Sequence, residues 1–251
     1  MELARLTWPE ARDAIRGARV ALLPVGAIEQ HGPHLPLGTD DYIASHIARG
    51  AARRDDLLLL PGIRVGVSRE HRQFWGTLAV SPAALREQAV DLARSLASHT
   101  LRRIVFVNGH GSNCGPLEDA ARDLREEGVF AFVFNWWHSI DPMLRELFPD
   151  PTAHAGSIET SLMLAIDPEL VRTNRLDEAG SVDRWGTYVE GVLVGFDAAD
   201  FTEPGNVGDP NLADAEKGKA VLSAACDSLG RFCTWLAGRT EDELTAHPHL
   251  P

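Results

Sequence analysis

"RVALLPVGAIEQHGPHLPLGTDDYIASHIARGAARR" (residues 19–54) passes from an apolar run, through a polar junction, into a helical pattern. The run 19–26 has the length and continuous apolarity of a strand buried on both faces. Residues 39–54 read as a helix, with Thr39 as its N-cap and Asp40 and Asp41 in its first turn. The junction carries Glu29, His31 and His34 before the two aspartates, among Gly26, Gly32, Pro33, Pro36 and Gly38. Buried charge is costly unless it is paired or bound to metal. The junction is therefore either a solvated loop or the start of a site.

The same alternation continues along the chain. "LLLLPGIRVGV" (57–67) reads as a second buried strand, interrupted at Pro61-Gly62. Residues 81–101 form a long helix, with Ser81 as cap, Pro82 at its first position and a stripe of Leu85, Ala89, Leu92 and Leu96. Strands follow at 103–109 and 129–137, with a helix at 116–128 between them that Gly128 stops. A helix at 157–166, a less regular Gly- and Asp-rich stretch at 180–210 and a closing helix at 212–238 complete the pattern. Apolar strands alternating with helices predict an α/β fold whose mostly parallel sheet is covered on both faces. Ligands of such sheets bind beyond the carboxyl ends of the strands. "EQHG", "SREH", "NGHGSN" and "NWWH" each follow one of the four strands, so these clusters should meet along one edge.

Composition narrows the class. The 251 residues are 44% hydrophobic and 24% charged, which suits a globular chain with a sizeable core. No stretch approaches the ~18 apolar residues of a membrane span, and the N-terminus has no signal-peptide core. Three cysteines without a CxxC pair argue against a disulfide framework or thiolate zinc, and for a cytoplasmic location. A net charge of -12 disfavours nucleic acid and anionic membrane surfaces.

The polar residues offer several chemistries. In an extended segment Glu29 and His31 project to the same side and can reach one metal or a metal pair, or simply face water. Asp40 and Asp41 suit a helix N-terminus without any ligand. His110 sits among glycines that permit tight geometry at a strand end. The same "VNGHGSNCG" loop has two rivals, a phosphate cradle and a Ser112 nucleophile, although neither GxGxxG nor GxSxG is met. "HAGSIETS" supplies His154 and Glu159. Glu159 shares a helix face with Leu162, Met163 and Ile166, and is either a first-turn acid satisfied by the dipole or a metal ligand. His46, His99, His247 and His249 read as ordinary, whereas His34 and His138 lie near the expected site. Trp75, Trp136 and Trp137 are candidates for a pocket wall or for plain packing. Taken together, Glu29, His31, Asp40, His110 and Glu159 are the N and O ligands that divalent transition metals use. They are too many for one structural zinc and suit two metals bridged by an aspartate.

"LLPVGAIEQHGPHLPLGTDDYIA", "VNGHGSN" and "HAGSIETSLMLA" resemble, in order, the blocks of the creatininase family of metal-dependent amidohydrolases. "SREHRQFWGTL" and "GNVGDPNLADAEKGKAVL" are similar to its weaker blocks, so the resemblance spans most of the chain. It implies a three-layer α/β/α fold, one domain over residues 1–251, and a homo-oligomer, with a hexamer favoured. It implies Glu29, Asp40 and His110 on one metal, His31 and the bridging Asp40 on the other, and His154 as proton donor or acceptor. Where creatinine-hydrolysing members carry a second-metal glutamate after "NGH", this chain has Ser112, which points to Glu159 as the replacement. The segment between His110 and His154 also looks shorter than in those members. The resemblance is therefore closer to members that cleave peptides or formamides than to creatininase proper.

The expected function is a hydrolase with two divalent ions per chain (Zn, Mn or Fe) that cleaves a C–N amide-type bond by a metal-bound hydroxide. Its substrate would be a cyclic amide, a formamide or a peptide. Ser68, Glu70, His71 and Trp136 are the expected substrate wall. Two alternatives stand beside it: a non-catalytic subunit braced by its metals, and a serine-nucleophile or nucleotide-binding enzyme.

Overall fold

Within residues 1–149 and 154–247, which the computed structural model describes, β1 (Val20–Val25) is buried along its whole length. Its side chains alternate between two apolar clusters, Val20 and Leu22 entering one, Ala21, Leu23 and Val25 the other. The other strands split in the same way. Leu57 and Leu59 oppose Leu58 in β2 (Leu57–Leu59), and Val105 and Val107 oppose Ile104 and Phe106 in β3 (Arg103–Asn108). In β4 (Phe130–Asn135), Phe130 and Phe134 oppose Ala131. A period of two with both sets apolar requires a cover on each face, and that is the physical origin of the three layers.

One face is covered by α2 (Thr39–Ala51), α7 (Ser157–Ile166) and α8 (Ala215–Ala237), joined by the short α5 (Trp136–Ser139) and α6 (Asp141–Leu147). The other is covered by α3 (Pro82–Ala97) and α4 (Cys114–Glu126), with α1 (Trp8–Gly17) contributing Ala14. Each fully buried aliphatic side chain is worth roughly 1.5–3 kcal/mol. A two-stranded antiparallel hairpin, β5 (Thr187–Val189) and β6 (Val192–Gly195), stands apart from the main sheet, and α9 (Glu241–Leu244) follows α8.

The main sheet is wholly parallel, in the order β2-β1-β3-β4. From β1 the chain moves to one side to make β2, then crosses back to the other side to make β3. The carboxyl ends of β1 and β3 thus flank the point where the strand order reverses, the place where such sheets hold ligands.

Local details correct several expectations. The second strand is shorter than 57–67, because Pro61 has no N–H for the ladder. Only Ile63 rejoins, through a bridge to Val25. Thr39 begins α2 rather than capping it, and its hydroxyl donates to the Pro36 carbonyl at 2.7 Å. Ser81 does cap α3, accepting from the Ala84 N–H at 3.1 Å. On α3 the buried positions are Leu85, Ala89, Val90, Ala93 and Leu96, while Leu92 is exposed. Small alanines facing the sheet permit a closer approach than Leu92 would. The fourth strand ends at Asn135, and Trp136 and Trp137 lie on a helical turn. Among the described residues no helix is long and apolar enough to cross a membrane.

Candidate metal centre

Three of the four strand-end clusters line one cleft of about 690 Å³, with Asp40, Glu70, His71, His110, Ser112, Trp136, His138, His154 and Glu159 in its wall, and the fourth, "EQHG", is buried behind it with Glu29 Oε1 3.2 Å from His110 Nδ1. The chain leaving β1 stays extended, with the Glu29 N–H bonded to the Leu37 carbonyl at 2.9 Å, and this places Glu29 and His31 side by side and fully buried. Asp40 enters from the first turn of α2. Gly109, at the end of β3, lets α2 come close. A Cβ there would lie 2.4 Å from the Asp40 carbonyl oxygen, so any side chain would push Asp40 and His110 apart. Ala155 has a left-handed φ of 50°. Strain of this kind is held only where its surroundings fix it, and here it lies between His154 and Glu159, which face the same cleft.

Two clusters share Asp40. In one, His110 Nδ1 lies 3.2 Å from Glu29 Oε1 and 3.3 Å from Asp40 Oδ2. In the other, His31 Nε2 lies 3.2 Å from Asp40 Oδ1 and 3.8 Å from Glu159 Oε2. Each set, Glu29–Asp40–His110 and His31–Asp40–Glu159, offers ligand atoms within 4.8 Å of one another. Asp40 thus turns one oxygen to each cluster, as a bridging carboxylate would.

The remaining ring nitrogens are committed to the backbone. His110 Nε2 is 2.8 Å from the Val67 carbonyl and His31 Nδ1 is 3.1 Å from the Glu29 carbonyl. A carbonyl can only accept, so each ring carries a hydrogen on that side, which leaves the other nitrogen to face the carboxylates. Ligand histidines are commonly oriented in this way. Both Glu29 carboxylate oxygens and Asp40 Oδ2 are buried without a hydrogen-bond partner. A buried, uncompensated carboxylate costs several kcal/mol. The donor set therefore fits divalent cations.

The electrostatics agree. Complete burial holds the Glu29 carboxyl above the usual range, against the pull of His110. Burial opposes charge on His31, but Asp40, Glu159 and Glu29 outweigh it and push the imidazole up to about 10. His110 is likewise raised, its burial outweighed by Glu29 and Asp40. Asp40 is held low despite burial, by His31 and His110. In the metal-free chain, then, protons on two imidazoles supply the positive charge that the carboxylates need. His154 behaves oppositely. Burial and the charge on His31 bring it down to about 4, so it is neutral at pH 7.

The expected substrate wall divides. Glu70 and Trp136 line the cleft, and Glu70 also lies 3.3 Å from His110 Nε2. His71 lines it too but is almost wholly buried, with Nε2 3.3 Å from Glu29 Oε1. Ser68 is fully buried and is not among the residues that line the cleft. The Ser112 hydroxyl donates to the Glu70 carboxylate, so no imidazole stands as its base. Glu159 accepts from the Ala155 N–H, just before α7, at 2.5 Å and places Oε2 3.8 Å from His31 Nε2. Asp41 is structural, bonded to Arg64 at 2.7 Å, and His34 is buried against Thr160 at 2.9 Å. Trp137 and His138 join the cleft, whereas Trp75 is exposed to solvent. His249 lies outside the described residues.

Three residues that the sequence did not single out also belong here. Trp185 and Phe196 line the cleft from the irregular 180–210 segment, where no periodicity marks them. Trp185 meets His71 and His154 edge-on, at ring distances of 5.2 and 5.6 Å. Gln30 is buried between Glu29 and His31. Its position gave a signal, because a residue between two same-side ligands points the other way, into their support.

Comparisons with known proteins point to one family. The model of the family described as creatininase, creatinine amidohydrolase, matches residues 4–233. A mycofactocin precursor peptide peptidase of Mycobacterium ulcerans is 36% identical over 242 residues, 92% of this chain and 88% of that one. A creatinine amidohydrolase of Pseudomonas putida is 30% identical over 247 residues, 90% of this chain and 94% of that one. A solved manganese creatininase superposes with a TM-score of 0.82 at 28% identity, covering 95% of this chain and 99% of the other. The three-layer fold, the edge on which the polar clusters meet and the extent of these matches agree: the chain belongs to the creatininase family and is a hydrolase of C–N bonds.

Proposed function

We propose that the chain is a dinuclear metal hydrolase cleaving an amide-type bond of a peptide or formamide rather than of creatinine. The observation that carries this reading is the set of Glu29 oxygens and Asp40 Oδ2, buried without a hydrogen-bond partner, between two imidazoles that each turn toward them the nitrogen not bonded to the backbone. Glu29, Asp40 and His110 would hold one divalent ion, and His31, Asp40 and Glu159 the other, as Zn, Mn or Fe. Ions bound there supply an acidified water and a Lewis acid for the carbonyl oxygen.

The protein's own groups do the rest. His154 is neutral and lies 3.8 Å from Glu29 through Nδ1, so it is placed to take a proton and pass it to the leaving nitrogen. Glu70, Trp136 and Trp185 form walls that orient the substrate. The cleft is of a size that usually holds drug-sized ligands, which leaves room for more than a small ring. Identity is higher to the mycobacterial peptide peptidase than to the creatinine amidohydrolase, which favours the same substrate class. The same reading takes the chain as one domain, working in the cytoplasm as a homo-oligomer, with a hexamer favoured and neither nucleic acid nor membrane as partner.

The test strips the purified protein with a strong chelator and assays formamides, short peptides, cyclic amides and lactones. Turnover should vanish and return with Zn²⁺, Mn²⁺ or Fe²⁺, and creatinine should be the poorer substrate. Full turnover by protein shown to be metal-free would overturn the proposal.

A further inference from the structure

Gln30 touches both histidines behind the carboxylates. Its Nε2 lies 2.8 Å from the Gly205 carbonyl, 2.7 Å from His71 Nδ1 and 3.0 Å from His154 Nε2. Its Oε1 accepts from the Gly32 N–H at 2.9 Å. These two backbone partners fix the amide orientation, because a flipped amide would set oxygen against the Gly205 carbonyl and N–H against N–H at Gly32. Gly205 makes the seat possible. Its φ is +95°, and a Cβ there would fall 2.0 Å from Gln30 Oε1.

The hydrogens can then be placed one by one. His154 Nε2 is 2.9 Å from the Gln30 backbone carbonyl, which can only accept, so His154 carries its hydrogen on Nε2. The amide has two hydrogens. One goes to Gly205. The other cannot go to a nitrogen that already bears hydrogen, so it goes to His71 Nδ1. His71 must therefore carry its own hydrogen on Nε2, the nitrogen that lies 3.3 Å from Glu29 Oε1. His154 is left with a bare Nδ1 on the side of Glu29. The two rings stack at 4.5 Å, so neither can turn without the other.

We propose that Gln30 is the positioning residue of this site: its amide fixes the tautomer of His71, placing the Nε2 hydrogen on the side of Glu29, and its backbone carbonyl fixes His154 with Nδ1 bare. The tautomers stand on geometry alone, while their catalytic meaning rests on the function proposed above.

The experiment reads histidine tautomers by ¹⁵N NMR in the metal-free full chain, then metal affinity by titration. In the wild type both His71 and His154 should show the Nε2–H form. Gln30→Glu replaces the donor to His71 with an acceptor. His71 should switch to Nδ1–H while His154, held by the backbone, keeps Nε2–H. Affinity for one of the two ions should fall about 10–100-fold, the usual effect of losing a partner that orients a ligand. Gln30→Met, which offers neither donor nor acceptor, should leave His71 as a mixture, and it serves if Gln30→Glu does not fold. An Nδ1–H His71 in the wild type overturns the proposal, as does a His71 that stays purely Nε2–H in the variants. If the tautomers are as assigned and no divalent ion binds, the hydrolase reading falls and the positioning role stands.

Discussion

The two clusters around Asp40 are built in opposite ways. Glu29 and His110 sit on the ends of neighbouring parallel strands, both buried, with the backbone of one element pressed against the next. The other cluster joins His31 to Glu159, which comes from the first turn of α7, far along the chain, and is partly exposed. The first is held just beyond the sheet ladder by backbone contacts, Glu29 N–H to the Leu37 carbonyl and His110 Nε2 to the Val67 carbonyl, and should be rigid. The second depends on how α7 packs on the sheet and should release its ion more readily. A shared aspartate thus links a site made by secondary structure to one made by packing.

The largest expected effect tests the sharing itself. Asp40→Asn should abolish turnover and remove both ions, because the side chain serves both clusters and the amide carries no charge. Metal analysis of the variant that found one ion still tightly held would show that Asp40 belongs to a single cluster. His154 belongs to neither set of ligands in this account. His154→Ala should keep both ions and slow kcat by roughly 10²–10⁴-fold, the usual worth of a positioned proton-transfer group. Loss of an ion in that variant would make His154 a ligand and redraw both clusters.

Glu159→Gln separates the two. It should leave a folded protein whose metal content falls from about two ions per chain to about one, as expected when one half of a two-metal site is emptied. Ser112→Ala should hold both. The reverse pattern would return the second anionic role to the "NGH" loop. A smaller effect concerns protons. His31 is pushed up to about 10 in the metal-free chain, so at pH 7 an ion that binds its Nε2 must expel a proton. Affinity should fall about tenfold per pH unit below that value for each proton released. Calorimetry at pH 7 in buffers of different ionisation enthalpy measures the release. No net release would mean that His31 is not a ligand.

The sequence carried the convergence of the four loops because strand ends repeat a simple pattern: an apolar run, then polar residues, then a helix. It carried Glu29, His31, Asp40 and His110 because each is a charged or ligating residue in a place where charge must be paid for by a partner. The burial of Ser68 beside "REH" was not legible, because a polar residue next to charged ones reads as exposed until its packing is known. Trp185 and Phe196 were out of reach, because an irregular segment has no period from which to infer a facing direction.

Strand, helix and polar junction follow from local patterns, so the sequence by itself determined the α/β alternation, the edge where the polar loops gather and the carboxylate and imidazole types found there. Only the tertiary structure decided that β1 and β3 are neighbours across the reversal of strand order, that Asp40 divides its oxygens between two imidazoles, and that α7 brings Glu159 to His31. It also decided which nitrogen of each histidine bonds the backbone, and hence which one faces the carboxylates. Those outcomes depend on contacts between residues remote in the chain, where distances of a few tenths of an ångström separate a hydrogen bond from a mere neighbour, and no local pattern records them.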